Sequence, residues 1–139
     1  MNTYYEKLMM ARYGGGDGVL SSFAEYLYQS IITSQTHPTL STILEGMAIS
    51  RLRDLLWLEK GIKISYRRKC LPMRIKGSDL NSGSVYNSVR SMLLYDIGME
   101  EKSIAENYRL IRIIKDGLMR DCVMNMIGNE KKRLRTLKN

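Results

Sequence analysis

Apolar residues recur along this chain at steps of three and four, the spacing that places side chains on one face of an α-helix. Four such stripes stand out. The first is Leu20, Phe23, Leu27 and Ile31, and the second is Leu40, Leu44, Met47 and Leu58. The third holds Ile97, Ile104, Tyr108 and Ile111, and the fourth Met119, Val123, Met126 and Leu137. Charge interrupts the last three near their middles: Arg51 and Asp54 in the second, Glu101 in the third, Glu130 and Arg133 in the fourth. At the matching depth of the first stripe stands only Val19. Charge on an inward face is costly unless opposite charges meet there. Two arginines and three carboxylates from three helices are therefore expected to converge.

The breaks between stripes predict four long helices, over residues 18–33, 38–60, 84–115 and 118–139. The run Gly14-Gly15-Gly16-Asp17-Gly18 sets off a short N-terminal amphipathic segment carrying Tyr5, Leu8, Met9 and Tyr13. Asp17 is placed to cap the first long helix. Pro38 opens the second, where its missing N–H is not needed, and Gly61 closes it. Helical periodicity then lapses to about Ser82, in a stretch marked by Pro72, Gly77 and the adjoining Gly83. Asp116-Gly117 separates the last two helices. Short links within each pair and one long connection between pairs predict an all-α four-helix bundle, two antiparallel hairpins joined by a crossover.

Composition narrows this further. The 139 residues suffice for one domain with a sizeable core and not for two ordinary ones. Apolar residues make up 44% and charged residues 26%, the balance of a globular protein rather than a disordered one. No run of 18 apolar residues occurs, so no spanning helix is expected. The opening Met-Asn-Thr-Tyr-Tyr-Glu has neither a basic leader nor an apolar stretch, and Cys70 and Cys122 have no close-spaced partner. A reducing cytoplasmic setting fits both features.

The net charge of +8 raises nucleic acid or an acidic partner as a binding class. One basic cluster is Arg67, Arg68, Lys69, Arg74 and Lys76; the other is Lys131, Lys132, Arg133, Arg135 and Lys138. The second sits where cations complement the negative end of a helix, so a solvated helix end accounts for it as well as a binding site does.

Residues 19–30, Val-Leu-Ser-Ser-Phe-Ala-Glu-Tyr-Leu-Tyr-Gln-Ser, resemble the first helix of the rubrerythrin and bacterioferritin branch of the ferritin-like family. Residues 43–54, Ile-Leu-Glu-Gly-Met-Ala-Ile-Ser-Arg-Leu-Arg-Asp, resemble its second helix. Residues 94–108 resemble the third and 127–133, Ile-Gly-Asn-Glu-Lys-Lys-Arg, the fourth. The resemblance covers nearly the whole chain in order. It implies a ferritin-like bundle whose core holds two iron or manganese ions, on one Glu from each of two helices and a Glu-x-x-His pair from each of the others. Carried over by position, the ligands fall on Val19, Arg51, Asp54, Glu101, Glu130 and Arg133. Arginine offers only donors and a fixed positive charge, and the single histidine, His37, lies far from the stripe centres.

The expected state is a degenerate site, with no metal or cofactor, in which the arginines pair the carboxylates. Two alternatives stand beside it: an altered metal site on Asp54, Glu101 and Glu130, and an anion or small-ligand site on the arginines. Tyr26 and Tyr108 are expected to line the core, Cys122 to fill it, and the ten methionines to make it adaptable. Function then falls into classes. One is a non-catalytic homodimeric module for assembly or regulation, paired through the hairpin that carries Phe23, Tyr26 and Tyr28, with no membrane role. Another is a working ferritin-like oxidoreductase for iron handling or peroxide detoxification. The third is a basic helical protein binding nucleic acid.

Overall fold

The computed structural model describes residues 11–14, 18–69, 86–115 and 117–139, and four helices carry the chain: α1 Val19–Thr33, α2 Pro38–Lys69, α3 Val89–Ile113 and α4 Gly117–Lys138. A helical turn at 11–14 precedes them, and no strand occurs among the described residues. Helix α1 packs along α2, α2 along α4, and α4 along α3. Hydrogen bonds between side chains also tie α1 to α3. No helix among the described residues is long and apolar enough to cross a membrane.

Two helix limits differ from the sequence expectation. Helix α2 does not stop at Gly61 but runs on to Lys69. A lone glycine inside a helix costs about 1 kcal/mol against alanine, which slows a helix without breaking it, and no proline follows until Pro72. Helix α3 begins at Val89, five residues later than the periodicity suggests, because Ser88 builds a capping box there. Its Oγ accepts from the Ser91 N–H at 3.0 Å, and its own N–H donates to Ser91 Oγ at 3.1 Å. The third helix ends at Ile113, two residues short of Lys115. Gly18, with no side-chain cap, precedes α1. Asp17, Tyr5, Leu8, Met9, Cys70, Arg74, Lys76 and the connection from 70 to 85 lie outside the described residues.

The apolar core divides into two clusters. One joins Val19 of α1, Leu58 of α2, Leu110 and Ile111 of α3, and Met119, Val123, Met126 and Ile127 of α4. The other joins Tyr26, Leu44, Met47, Ala48 and Met92, with Leu137 packed against it. On every helix the residues between the two clusters are polar and buried. Arg51 and Asp54 lie there on α2, Asp96 and Glu100 on α3, and Glu130 and Arg133 on α4. A polar layer thus sits between two apolar ones.

The stripe expected on α1 faces the wrong way. Its buried side is Val19, Ser21, Ser22, Glu25, Tyr26, Gln29, Ser30 and Thr33. Leu27 and Ile31 point outward, Ile31 with 71% of its surface exposed, and Leu20 and Phe23 are half-buried. The polar side turns inward because its partners are inside. Gln29 donates to Asp96 at 2.7 Å and to Tyr86 at 3.0 Å, and Ser30 meets Ser41 at 3.1 Å. Ser88→Ala should lower stability by about 1 kcal/mol, since it removes the Oγ that accepts from the Ser91 N–H, and Ser91→Ala removes the reciprocal acceptor of the Ser88 N–H. Urea unfolding of the variant beside Ser91→Ala reads this, and the two should fall alike.

Candidate functional site

Arg51 and Arg133 stand at the centre of the polar layer, each almost fully buried. The Arg51 guanidinium donates through Nη1 to Asp54 Oδ2 and Glu130 Oε2, both at 3.2 Å, and through Nη2 to Glu100 Oε2 at 3.1 Å. Arg133 donates through Nε to Glu100 Oε1 at 2.8 Å, through Nη2 to Asp54 Oδ2 at 2.5 Å, and through Nη1 to Ser50 Oγ at 2.8 Å. Each arginine therefore binds two or three carboxylates drawn from two or three helices. The planar fork of a guanidinium suits this geometry, which an ammonium could not reproduce.

Neutral side chains complete the shell. Tyr26 of α1 donates to Glu100 Oε1 at 2.9 Å, Asn129 to Asp54 Oδ1 at 2.9 Å, and Asn107 to Glu130 Oε1 at 2.7 Å. Ser103 donates to Glu130 Oε2. Every carboxylate oxygen of Asp54, Glu100 and Glu130 thus already accepts a hydrogen bond.

The carboxylate from α3 is Glu100, not Glu101. Glu101 lies on the exposed face, as does Tyr108, while Ile97 and Ile104 are only half-buried. The inward face of α3 is Met92, Asp96, Glu100, Ser103, Asn107, Leu110 and Ile111. The two readings differ by one residue, a rotation of 100° about the helix axis. Two adjacent glutamates fit either rotation. The polar series Asp96, Glu100, Ser103, Asn107 at steps of four, three and four is the signal that separates them. Val19 is buried in the apolar cluster beside the layer. His37 is exposed next to the α1–α2 link and bonds Thr36.

A third buried arginine completes the set. Arg12 donates through Nε to Asn107 Oδ1 at 3.0 Å, through Nη1 to Glu106 Oε2 at 2.7 Å, and through Nη2 to Ser103. Ser103 and Asn107 pass the connection on to Glu130. Three guanidinium groups are thus buried, two of them paired directly with Asp54, Glu100 and Glu130 and the third with Glu106. The helical turn at 11–14 reads by its neighbours as apolar, and nothing in the spacing marks Arg12 as inward. Of the basic run at the end of α4, Arg133 alone turns in, while Lys131, Lys132, Arg135 and Lys138 are exposed. Cys122 is buried in α4.

The electrostatics follow from burial and from these pairs. Burial pushes the Glu100 carboxyl up, but Arg51 and Arg133, with hydrogen bonds from Arg133 and Tyr26, outweigh it and hold the group below its ordinary value. At Asp54 burial prevails over the same arginines and the carboxyl sits above its ordinary value. The Arg51 guanidinium is held more firmly protonated still: burial opposes this, and Glu100, Glu130 and Asp54 reverse it. Next to the network Asp96 has no arginine of its own. Burial, with repulsion from Glu100 and Glu25, raises it to about 7 despite the Gln29 hydrogen bond.

A metal pair does not fit this donor set. Two positions that the ferritin-like resemblance assigns to ligands carry permanent cations, and the carboxylate oxygens are all engaged. Among the described residues, no group of three or more His, Cys, Asp or Glu side chains is arranged to hold a metal ion. Chemically, Arg51, Arg133, Asp54, Glu100 and Glu130 are a set of mutually paired charges, with the raised carboxyl of Asp96 beside it. The chain matches no known family model, curated protein or solved structure.

Arg133→Met should strand Glu100 and Asp54 in the core and cost roughly 3–5 kcal/mol, whereas replacing the buried charges together by apolar residues of similar volume should be close to neutral. Denaturant unfolding of the single and multiple variants compares the two. Unchanged midpoints in the single variants would contradict the network. A second expectation concerns pH. Asp96 binds its proton more tightly folded than unfolded, so its contribution to stability is full below about pH 4 and lost as pH rises towards about 7. At 1.36 kcal/mol per unit the loss is at most about 4 kcal/mol. Glu100 has the opposite sign, with stability lost as pH falls below its ordinary carboxylate range. Thermal midpoints should therefore decline from pH 5 to pH 8, and Asp96→Asn should flatten the decline.

Proposed function

We propose that the chain is a ferritin-like four-helix bundle in which an internal arginine–carboxylate network stands where the family holds two metal ions. On this reading it acts as a non-catalytic, self-associating module for assembly or regulation. The observation that carries the proposal is the seating of Arg51 and Arg133 among Asp54, Glu100 and Glu130. A guanidinium supplies, permanently and without exchange, the positive charge that a cation would bring to such a cluster.

The order of the two apolar clusters along each helix supports the topology. Helix α1 meets the Val19 cluster first and the Tyr26 cluster second, while α2 meets them in reverse, Leu44 before Leu58. Helix α3 again runs from Met92 to Leu110, and α4 returns from Met119 to Leu137. That order is up, down, down, up, so α2 ends and α3 begins at opposite ends of the bundle, as a crossover between the two hairpins requires. Such a crossover is what distinguishes ferritin-like bundles from plain up-and-down ones.

Elemental analysis of protein purified without chelator should find iron and manganese far below one ion per chain. About two ions per chain would sink the reading, because that is the occupancy of the intact family site. The converse variant carries Val19→Glu, Arg51→Glu, Asp54→His and Arg133→His, with Glu100 and Glu130 kept. It rebuilds a six-ligand set and should take up metal.

A further inference from the structure

The outward side of α2 carries a pattern that the buried network does not use. Glu45, Ile49, Leu52, Leu56 and Lys60 follow one another at steps of four, three, four and four, so they share one helix face. All five are exposed, Ile49 by 49%, Leu52 by 41% and Leu56 by 53%. The stripe is acidic at one end, apolar through its middle and basic at the other. Helix α1, packed along α2, exposes Leu27 and Ile31 in its turn. Its only charged residue, Glu25, is buried. A surface helix that exposes leucine and isoleucine and no charge, in a chain of net charge +8, has its outer face built for contact rather than for water.

The stripe is complementary to itself when reversed. If a second α2 lies antiparallel across a two-fold axis between positions 52 and 53, Ile49 faces Leu56 of the other copy and Glu45 faces Lys60, and each pair occurs twice. That is the isologous arrangement a two-fold dimer requires, one patch serving both sides. The charges are poised for it. Among the described residues no ion pair engages Glu45, and the Lys60 amine is held at the surface over the Trp57 ring, 4.5 Å from its centroid. Tyr26, which the sequence suggests for pairing, is fully buried beneath Glu100 and takes no part.

We infer that two copies of this chain dock through the outer face of α2, antiparallel, with Glu45 of each on Lys60 of the other and the apolar stripe between. This rests on the reading of the chain as a self-associating module and names its surface. Complementary charge at the ends fixes register and orientation, and the apolar middle supplies the buried area.

The test is a charge reversal read by sedimentation equilibrium at low salt, with thermal unfolding as the control for folding. Wild type should be a dimer. Glu45→Lys and Lys60→Glu should each place two pairs of like charges across the axis and weaken the dimer at least about tenfold. The double variant, Glu45→Lys with Lys60→Glu, should restore it, which a loss of folding could not imitate. Leu52→Asp at the axis should leave a monomer. A wild-type dimer indifferent to all of these would overturn the face while sparing self-association. A wild-type monomer would overturn both, and co-sedimentation of that monomer with anionic phospholipid vesicles would assign the stripe to a lipid surface instead. Metal content is independent of every one of these outcomes, so the loss of the dimetal centre stands or falls separately.

Discussion

Neutralising charge where water cannot reach is the constraint on which the rest of this structure depends. Taking an ion out of water costs several kcal/mol even after relaxation, and a close partner returns that only when geometry is good and the remaining hydrogen bonds are made. Here Arg51 and Arg133 face Asp54, Glu100 and Glu130, the neutral groups of Tyr26, Ser50, Ser103, Asn107 and Asn129 add further hydrogen bonds to these groups, and Arg12 joins through Ser103 and Asn107. Each helix supplies part of the set, so none can shift alone. Sliding α4 by one turn, about 5.4 Å, would part Arg133 from both Glu100 and Asp54. An apolar layer would tolerate such a slip far better. The network is therefore better understood as a register key than as a source of net stability, the role for which buried polar groups are best attested.

The inversion of α1 follows from the same constraint. A helix packed against a polar layer must present polar groups, and α1 does so with Glu25, Gln29, Ser30 and Thr33. Glu25 accepts from Tyr86, and Gln29 bridges Tyr86 to Asp96. Fifteen residues cannot turn both of their faces to one core. What the polar layer takes from α1 on the inside leaves its leucines and isoleucines outside. The exposed apolar side is thus coupled to the buried charges through the helix itself.

This coupling explains which parts of the fold were legible in the sequence. The stripes of α2 and α4 were readable to the residue. Arg51, Asp54, Glu130 and Arg133 interrupt otherwise apolar series, and all lie inward. The direction of α1 was not readable, because periodicity reports that a helix has two unlike faces and not which one is inside. The assumption that the apolar face is buried holds only beside an apolar core. The sequence points to Glu101 because the neighbouring apolar series Ile97, Ile104, Ile111 runs in phase with it, yet the polar series of α3 is the buried one. Arg12 left no trace at all. Its partners Ser103, Glu106 and Asn107 lie about ninety residues away and carry no pattern that asks for a cation.

The chemistry available to such a centre is narrow, and that narrowness bears on where the protein's function lies. A guanidinium neither accepts a proton nor yields one in a protein, and it cannot change oxidation state. Asp54, Glu100 and Glu130 accept a hydrogen bond at every oxygen, so these three are not free to act as bases or ligands. A metal pair can be lost, exchanged or oxidised, whereas charges carried by the chain are fixed at synthesis. They confer on the bundle a core whose integrity depends on pH, through Asp96 and Glu100. Among the described residues, α1 exposes Leu27 and Ile31 and α2 exposes Ile49, Leu52 and Leu56, apolar side chains that stand outside because the polar residues of the same two helices fill the centre.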